Sequence, residues 1–122
     1  MKKILIAEDN DSNFILMTYI LKKYYLFDRA KNGQEAVEMV DKFDYDVVLM
    51  DIKMPIMDGL EATKRIKEKH PDLPVIALTA NAFDSDRQLT IEAGCDDFLS
   101  KPVSSEICVK TIDKFLGTDK EA

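Results

Sequence analysis

Five side chains in this sequence could do chemistry together: Glu8, Asp9, Asp51, Thr79 and Lys101. Each follows a short, largely apolar run. Ile4 to Ala7 leads into Glu8-Asp9, Val47 to Met50 into Asp51, Val75 to Leu78 into Thr79, and Phe98-Leu99-Ser100 into Lys101. An unbroken apolar run bounded by turn residues suits a parallel strand buried on both faces. Open α/β sheets place their chemistry at the carboxyl ends of such strands. Three carboxylates gathered there repel one another. At about 5 Å and an effective dielectric near 20, each like-charged pair costs roughly 3 kcal/mol. A hard divalent cation relieves that repulsion, and Mg²⁺ takes oxygen ligands. Glu8 and Asp9 alone would read as solvated loop residues, and it is Asp51 that makes them a metal site. Thr79 alone would be a helix cap, and Lys101 alone a solvated lysine. Together, a carboxylate, a hydroxyl and an ammonium ending three successive strands suit a phosphoryl group on Asp51. Mg²⁺, Lys101 and Thr79 would each take one phosphoryl oxygen. Aspartate carboxylates do serve as nucleophiles in phosphoryl transfer. The Lys101-Pro102 bond is a candidate for the cis form, which would turn the lysine inward.

These strand ends must be brought together by the elements between them. The pattern predicts β-strands over 4–7, 27–31, 47–50, 75–79 and 98–100. It predicts helices from a cap at Asp11 or Ser12 to about Tyr24, over 34–43, 58–69, 85–93 and 104–116. Mixed polarity makes the second strand an edge. Asn32-Gly33 reads as a turn, Ala36, Val37 and Val40 face inward, and Gly94 suits the residue just past a helix end. Alternating strands and helices give an α/β fold with a parallel sheet. Right-handed crossovers leave the doubly wound, flavodoxin-like (βα)5 arrangement, strand order 2-1-3-4-5, as the simplest choice. That order sets Glu8-Asp9 beside Asp51. One domain spans residues 1–117, and 118–122 form a short polar tail.

Composition narrows the function. The chain has 122 residues, 46% apolar and 33% charged, which suits one soluble globular domain. No apolar run nears the roughly 20 residues of a membrane span, so no membrane insertion is expected. The start, Met1-Lys2-Lys3, resembles a signal peptide only superficially, because its apolar run ends at Glu8-Asp9. A net charge of −6 argues against unaided DNA or RNA binding. Cys95 and Cys108 lack metal-ligand spacing and read as buried free thiols of a cytoplasmic protein. On the first helix, Leu16, Met17, Ile20, Leu21 and Tyr24 form the predicted core stripe. Ile15 points nearly opposite, and Phe14 lies at the edge.

The combination Glu8-Asp9, Met50-Asp51-Ile52-Lys53-Met54-Pro55-Ile56-Met57-Asp58-Gly59, Thr79-Ala80-Asn81-Ala82 and Gly94-Cys95-Asp96-Asp97-Phe98-Leu99-Ser100-Lys101-Pro102 resembles the response-regulator receiver domain of two-component signalling. The stretches around Thr79 and Lys101 are similar to those of receivers found in hybrid sensor kinases and phosphorelays. The resemblance covers nearly the whole chain. It implies that Asp51 accepts a phosphoryl group from a phosphohistidine. It implies Mg²⁺ held by Asp9, Asp51, Glu8 and the backbone carbonyl of Lys53. Thr79, Ala80 and Lys101 would bind the phosphoryl group, and Thr79 and Phe98 would form a switch acting on the face of α4, β5 and α5. Swinging such a switch from 1:99 to 99:1 takes about 5.5 kcal/mol of differential interaction. A sensor histidine kinase or histidine phosphotransfer protein would dock on Phe14, Ile15 and Pro102. The chain would then be a signalling module that catalyses its own phosphorylation and dephosphorylation, not a metabolic enzyme.

Two positions depart from the usual pattern. Glu8 stands where an aspartate is common, and Phe98 where a tyrosine is equally familiar. Other readings fit worse. A haloacid-dehalogenase-like phosphatase needs a second aspartate two positions after the nucleophile, where this chain has Lys53. A flavin site would be repelled by Glu8-Asp9-Asn10-Asp11. A pseudo-receiver that works without phosphorylation would not need the complete site. His70, at a helix end before Pro71, reads as a surface residue. The chain is either free-standing or a piece of a longer protein, and Met1 lying directly before the first strand leans to the former.

Overall fold

In the computed structural model, five strands alternate with five helices. They are β1 (Lys3–Ala7), α1 (Asp11–Leu21), β2 (Leu26–Ala30), α2 (Gly33–Lys42), β3 (Val47–Asp51), α3 (Gly59–Lys69), β4 (Val75–Thr79), α4 (Asp84–Ala93), β5 (Asp97–Ser100) and α5 (Ser105–Leu116). The structure describes residues 2–80 and 84–116, without the side chains of 84–86. The predicted tail at 118–122, the boundary at 117, and Asn81 and Ala82 lie outside the described residues. The strands form one parallel sheet in the expected order, β2-β1-β3-β4-β5.

The sheet is buried on both faces because its three inner strands are apolar except at their ends, at Lys3, Asp51 and Thr79. Ile4, Ile6, Val47, Leu49, Ile76 and Leu78 pack against Met17 and Leu21 of α1 and Cys108 and Ile112 of α5. The alternate residues Leu5, Ala7, Val48, Met50 and Val75 pack against Ala36 and Val40 of α2 and Ala62 and Ile66 of α3. This is the period of two expected of strands covered by helices on each side. β2, with Asp28 and Arg29 in its middle, lies at one edge as predicted. Gly94, just beyond α4, has φ 101°, the left-handed conformation expected there.

Helix starts differ by small shifts. Asn10 caps α1, its side chain accepting from Asn13 N, where Asp11 or Ser12 was expected. Asp11 instead occupies the first turn, where a carboxylate suits the helix dipole. Asn32-Gly33 is no free turn. Asn32 caps α2 by accepting from Glu35 N at 2.8 Å, and Gly33 is already helical.

The predicted core stripe of α1 needs correction. Met17 and Leu21 are buried, but Leu16 is 46% exposed and Tyr24 45% exposed. The helix ends at Leu21, and the chain turns so that Tyr25 enters the core, its hydroxyl donating to Asp113 on α5 at 2.6 Å. Residues 14–21 are apolar on nearly every side, so periodicity could not say which line faced the sheet. The two thiols also differ. Cys108 is fully buried, and burial pushes its pKa up to about 12. Cys95 is only half-buried, with its sulfur 3.8 Å from Thr63 Oγ1.

A polar clasp joins the edge strand to the sheet. Tyr45 donates to Asp28 Oδ2 at 2.7 Å, and the Lys3 ammonium lies 3.1 Å from the same oxygen. The tyrosine hydroxyl holds the Asp28 pKa below the usual carboxylate range, partial burial opposes it, and Lys3 adds to the lowering. A carboxylate with a depressed folded pKa contributes stability above its unfolded value, and loses it as pH falls through the folded one. Tyr45→Phe is therefore expected to cost about 1 kcal/mol at pH 7, less than a buried hydrogen bond to a charged group contributes, because Asp28 is partly solvated. The deficit should shrink below about pH 4. Denaturant unfolding of both proteins at pH 7 and pH 3 tests this, and an equal deficit at both would assign the loss to packing.

Candidate functional site

The sheet register brings the predicted residues to one level. Ala7 lies opposite Met50, Asp51 opposite Leu78, and Thr79 opposite Ser100. Glu8, Asp51, Thr79 and Lys101 consequently emerge side by side at the carboxyl edge. The ends are stitched by Ile52 N donating to Leu78 O at 3.2 Å and Lys101 N to Thr79 O at 2.7 Å. The loop after Asp51 returns tightly, with Gly59 N donating to Ile52 O at 2.8 Å. A Cβ at Gly59 would sit 2.1 Å from the Asp51 carbonyl, so only glycine fits where α3 starts against the end of β3.

Glu8, Asp9 and Asp51 each offer a carboxylate oxygen, and these atoms all lie within 4.8 Å of one another. Glu8 and Asp51 are buried, whereas Asp9 is exposed. The Lys101 ammonium sits between the two buried carboxylates, 3.0 Å from Glu8 Oε1 and 3.1 Å from Asp51 Oδ2. Burial raises the pKa of Glu8 and the neighbouring Asp51 adds to it, against the partial offset of Lys101. Burial works to lower the Lys101 pKa, but Glu8 and Asp51 outweigh it, so the lysine is held more firmly charged than usual. One cation thus faces two buried anions plus a third at the rim. An oxygen-lined, net-negative cradle of this kind fits a hard divalent cation.

A cleft of about 220 Å³ opens over these groups, and Lys53, Thr79 and Ala80 also line it. Lys53 N donates to Asp51 Oδ1 at 3.4 Å. Thr79 is buried, while Ala80 is exposed. The Lys101-Pro102 bond is cis, as considered from the sequence, and Pro102 is exposed beside the site. Phe98 is half-buried on β5, with the Arg87 guanidinium of α4 5.5 Å from its ring centre. His70 lies apart from the site at the end of α3, its Nε2 3.0 Å from Asp41 Oδ1.

Of the proposed docking residues, Ile15 is exposed as expected, but Phe14 is not free. Its ring meets Phe27 edge-on at 6.1 Å and lies under the Arg29 guanidinium at 4.5 Å. Leu16 takes its place at the surface and shares a small cleft with Lys101 and Pro102. Arg29 itself was not legible as a site residue. From β2 its Nε donates to Glu8 O at 3.1 Å, and its Nη2 meets Asp11 at 2.9 Å, so it anchors the acidic loop. An arginine in a mixed edge strand signals nothing until the strand order puts it beside β1. Asn10 and Asn13 line the cleft for a similar reason, the tight entry into α1.

Residues 4–113 match the family described as the response regulator receiver domain. The chain is 43% identical to part of hybrid signal transduction histidine kinase B of Dictyostelium discoideum, with 96% of this chain aligned but only 7% of the kinase. It is 36% identical to the polar-differentiation response regulator DivK of Brucella anthropi, aligning 95% of this chain and 97% of DivK. Among solved structures, the receiver domain of a Pseudomonas aeruginosa sensor histidine kinase, with magnesium coordinated in its active-site cleft, superposes with a TM-score of 0.90. It is 32% identical, covering 96% of this chain and 98% of that one. The receiver domain of a Saccharomyces cerevisiae response regulator, solved with its histidine phosphotransfer protein, gives a TM-score of 0.88 at 30% identity, covering 93% and 88%. With the acidic cluster, the lysine and the threonine in register on a five-stranded parallel sheet, the chain belongs to the response regulator receiver domain family.

Proposed function

We propose that Asp51 is the phosphoacceptor of this receiver and that it takes its phosphoryl group from a phosphohistidine. The observation that carries the reading is the Lys101 ammonium bridging Glu8 and Asp51 at 3.0 and 3.1 Å, next to Thr79 on the adjoining strand end. An Asp51 carboxylate oxygen attacks phosphorus, the P–N bond breaks, and the imidazole leaves with its electron pair and takes up a proton. Lys101 then pairs with a phosphoryl oxygen in place of a carboxylate, and Thr79 and the backbone at Ala80 meet the others. Mg²⁺ would be held by Glu8, Asp9, Asp51 and the Lys53 carbonyl, where it would supply charge neutralisation for the carboxylates and the phosphoryl oxygens. Hydrolysis of the acyl phosphate returns the carboxylate. These steps make the chain a catalyst of its own modification within a cytoplasmic signalling pathway.

Phosphorylation would draw Thr79 toward the new oxygens and leave room for Phe98, biasing the α4, β5 and α5 face. Arg87 over the Phe98 ring is part of that balance. A histidine kinase or histidine phosphotransfer protein would dock on Ile15, Leu16 and Pro102. The longer hybrid kinases among the relatives and the DivK-length ones place such a domain in different contexts, and either suits this role.

The reading is tested by mass after incubation with acetyl phosphate and Mg²⁺. One added phosphoryl group is expected, and none when the metal is chelated. A chain left unmodified under both conditions contradicts it. The docking surface has its own test. Replacing Ile15 and Leu16 together with alanine should slow transfer from a phosphorylated histidine protein by at least tenfold, with acetyl phosphate labelling nearly unchanged. Equal losses with both donors would show that these residues support the fold.

A further inference from the structure

Arg29 reaches the acidic loop from the edge strand. It stands opposite Ile6 in the register of β2 on β1, and its side chain runs on to residues 8 and 11. The backbone of Glu8 is held on both sides. Its N–H donates to Ala30 O at 3.0 Å, and its carbonyl accepts from Arg29 Nε at 3.1 Å. Arg29 Nη2 lies 2.9 Å from Asp11 Oδ1. One guanidinium therefore grips the loop on either side of Asp9 and Asn10. The grip has a firm base. The guanidinium lies 4.5 Å from the ring centre of Phe14, and Phe27 of the same strand braces that ring edge-on. The arginine side chain is only 17% exposed, so water competes little for its contacts. A planar guanidinium can hold two acceptors at once, whereas an ammonium is a point charge.

Asp9 needs such support more than the other two carboxylates. Glu8 and Asp51 are buried and share Lys101. Asp9 is exposed at the rim, yet its oxygen must stay within 4.8 Å of theirs for the three to hold one cation. A free loop would lose conformational freedom each time the cation bound, whereas a clamped loop has lost it beforehand.

The sign of the effect separates geometry from charge. A guanidinium close to three carboxylates opposes a second cation, so by charge alone the loss of Arg29 would strengthen Mg²⁺ binding. Loss of a clamp would weaken it, because groups that orient metal ligands are typically worth about tenfold or more in affinity.

We propose that Arg29 is a positioning residue of the cation site. By clamping the Glu8 carbonyl and Asp11, it holds Asp9 where it can ligate Mg²⁺, and so sets the Mg²⁺ concentration at which the receiver is phosphorylated. The inference rests on the Mg²⁺ site proposed above.

The test is calorimetric titration of Mg²⁺ into metal-free wild type, Arg29→Gln, Arg29→Lys and Tyr45→Phe. Arg29→Gln should bind about tenfold more weakly, although it removes a positive charge. Arg29→Lys keeps the charge and the aliphatic stem but cannot grip both ends, and should bind at least about threefold more weakly. Tyr45→Phe loosens the same edge strand through Asp28 and should bind as wild type does. The Mg²⁺ concentration for half-maximal acetyl phosphate labelling should rise by the same factors. A mere loss of stability would instead lower labelling at every Mg²⁺ concentration. Binding by Arg29→Gln as tight as wild type or tighter overturns the proposal, and so does wild-type affinity in Arg29→Lys. Equal weakening in Tyr45→Phe also overturns it, by assigning the effect to the strand as a whole. If Arg29→Gln does not melt cooperatively, Arg29→Lys decides. Failure of the underlying reading shows separately, as a wild-type chain that takes up no Mg²⁺.

Discussion

Asp51→Asn is expected to reduce phosphoryl incorporation from close to one group per chain to none. Three carboxylates share the cleft, so the assignment must separate them. Glu8 is the most buried, and burial together with the neighbouring Asp51 raises its pKa, which makes its anionic form the harder to hold and the carboxylate a poor nucleophile. Asp9 is exposed at the rim. Asp51 ends the central strand with Lys101 at 3.1 Å, next in the sheet to the strand that ends at Thr79. A nucleophile at Asp51 thus has cationic and hydroxyl groups where the phosphoryl oxygens must go. The amide of asparagine keeps the shape and removes the anionic nucleophile. Mass measurement after acetyl phosphate treatment reads the outcome. Undiminished labelling of the variant would move the acceptor to Glu8 or Asp9.

The second large effect is on stability, and its sign differs between two neighbours. Lys101→Ala leaves Glu8 and Asp51 buried together with no cation between them. Breaking a buried ion pair from one side costs about 3–5 kcal/mol. The lysine side chain is 22% exposed under an open cleft, which favours the lower figure. A loss of about 3 kcal/mol lowers the melting temperature of a domain of this size by about 10 °C. Asp51→Asn acts the other way. It leaves Lys101 paired with Glu8 alone and should raise the melting temperature of the metal-free protein. Mg²⁺ binds the folded site only, so it should stabilise wild type and narrow the Lys101→Ala deficit. Thermal melts of the three proteins with and without Mg²⁺ decide the matter. Two variants that shift in the same direction without metal would show that repulsion among the carboxylates does not limit stability here.

The architecture and most of the site were legible in the amino-acid order, for one reason. A strand buried on both faces must be apolar throughout, so a polar residue that ends such a run marks the sheet edge where chemistry sits. Val47 to Met50 followed by Asp51, and Val75 to Leu78 followed by Thr79, carry that message without any partner. Strand order then followed from alternation and handed crossovers, and it alone placed Glu8 beside Asp51.

What the tertiary structure decided were directions and pairings. α1 is apolar nearly all round, so only its seating on the sheet turned Met17 and Leu21 inward and left Leu16 at the surface. Phe14 looked available until Phe27 and Arg29, from the edge strand that follows α1, packed against its ring. Lys101 was readable as a phosphoryl ligand, but not as the cation already bridging Glu8 and Asp51. The positive φ of Ile56 follows from clamps at Gly33 and Gly59, which the local sequence does not announce. Apolar periodicity is a local property, set by which residues must leave water. The rotation of a helix, the partner of a charge and the strain of a turn depend on atoms brought together by the fold.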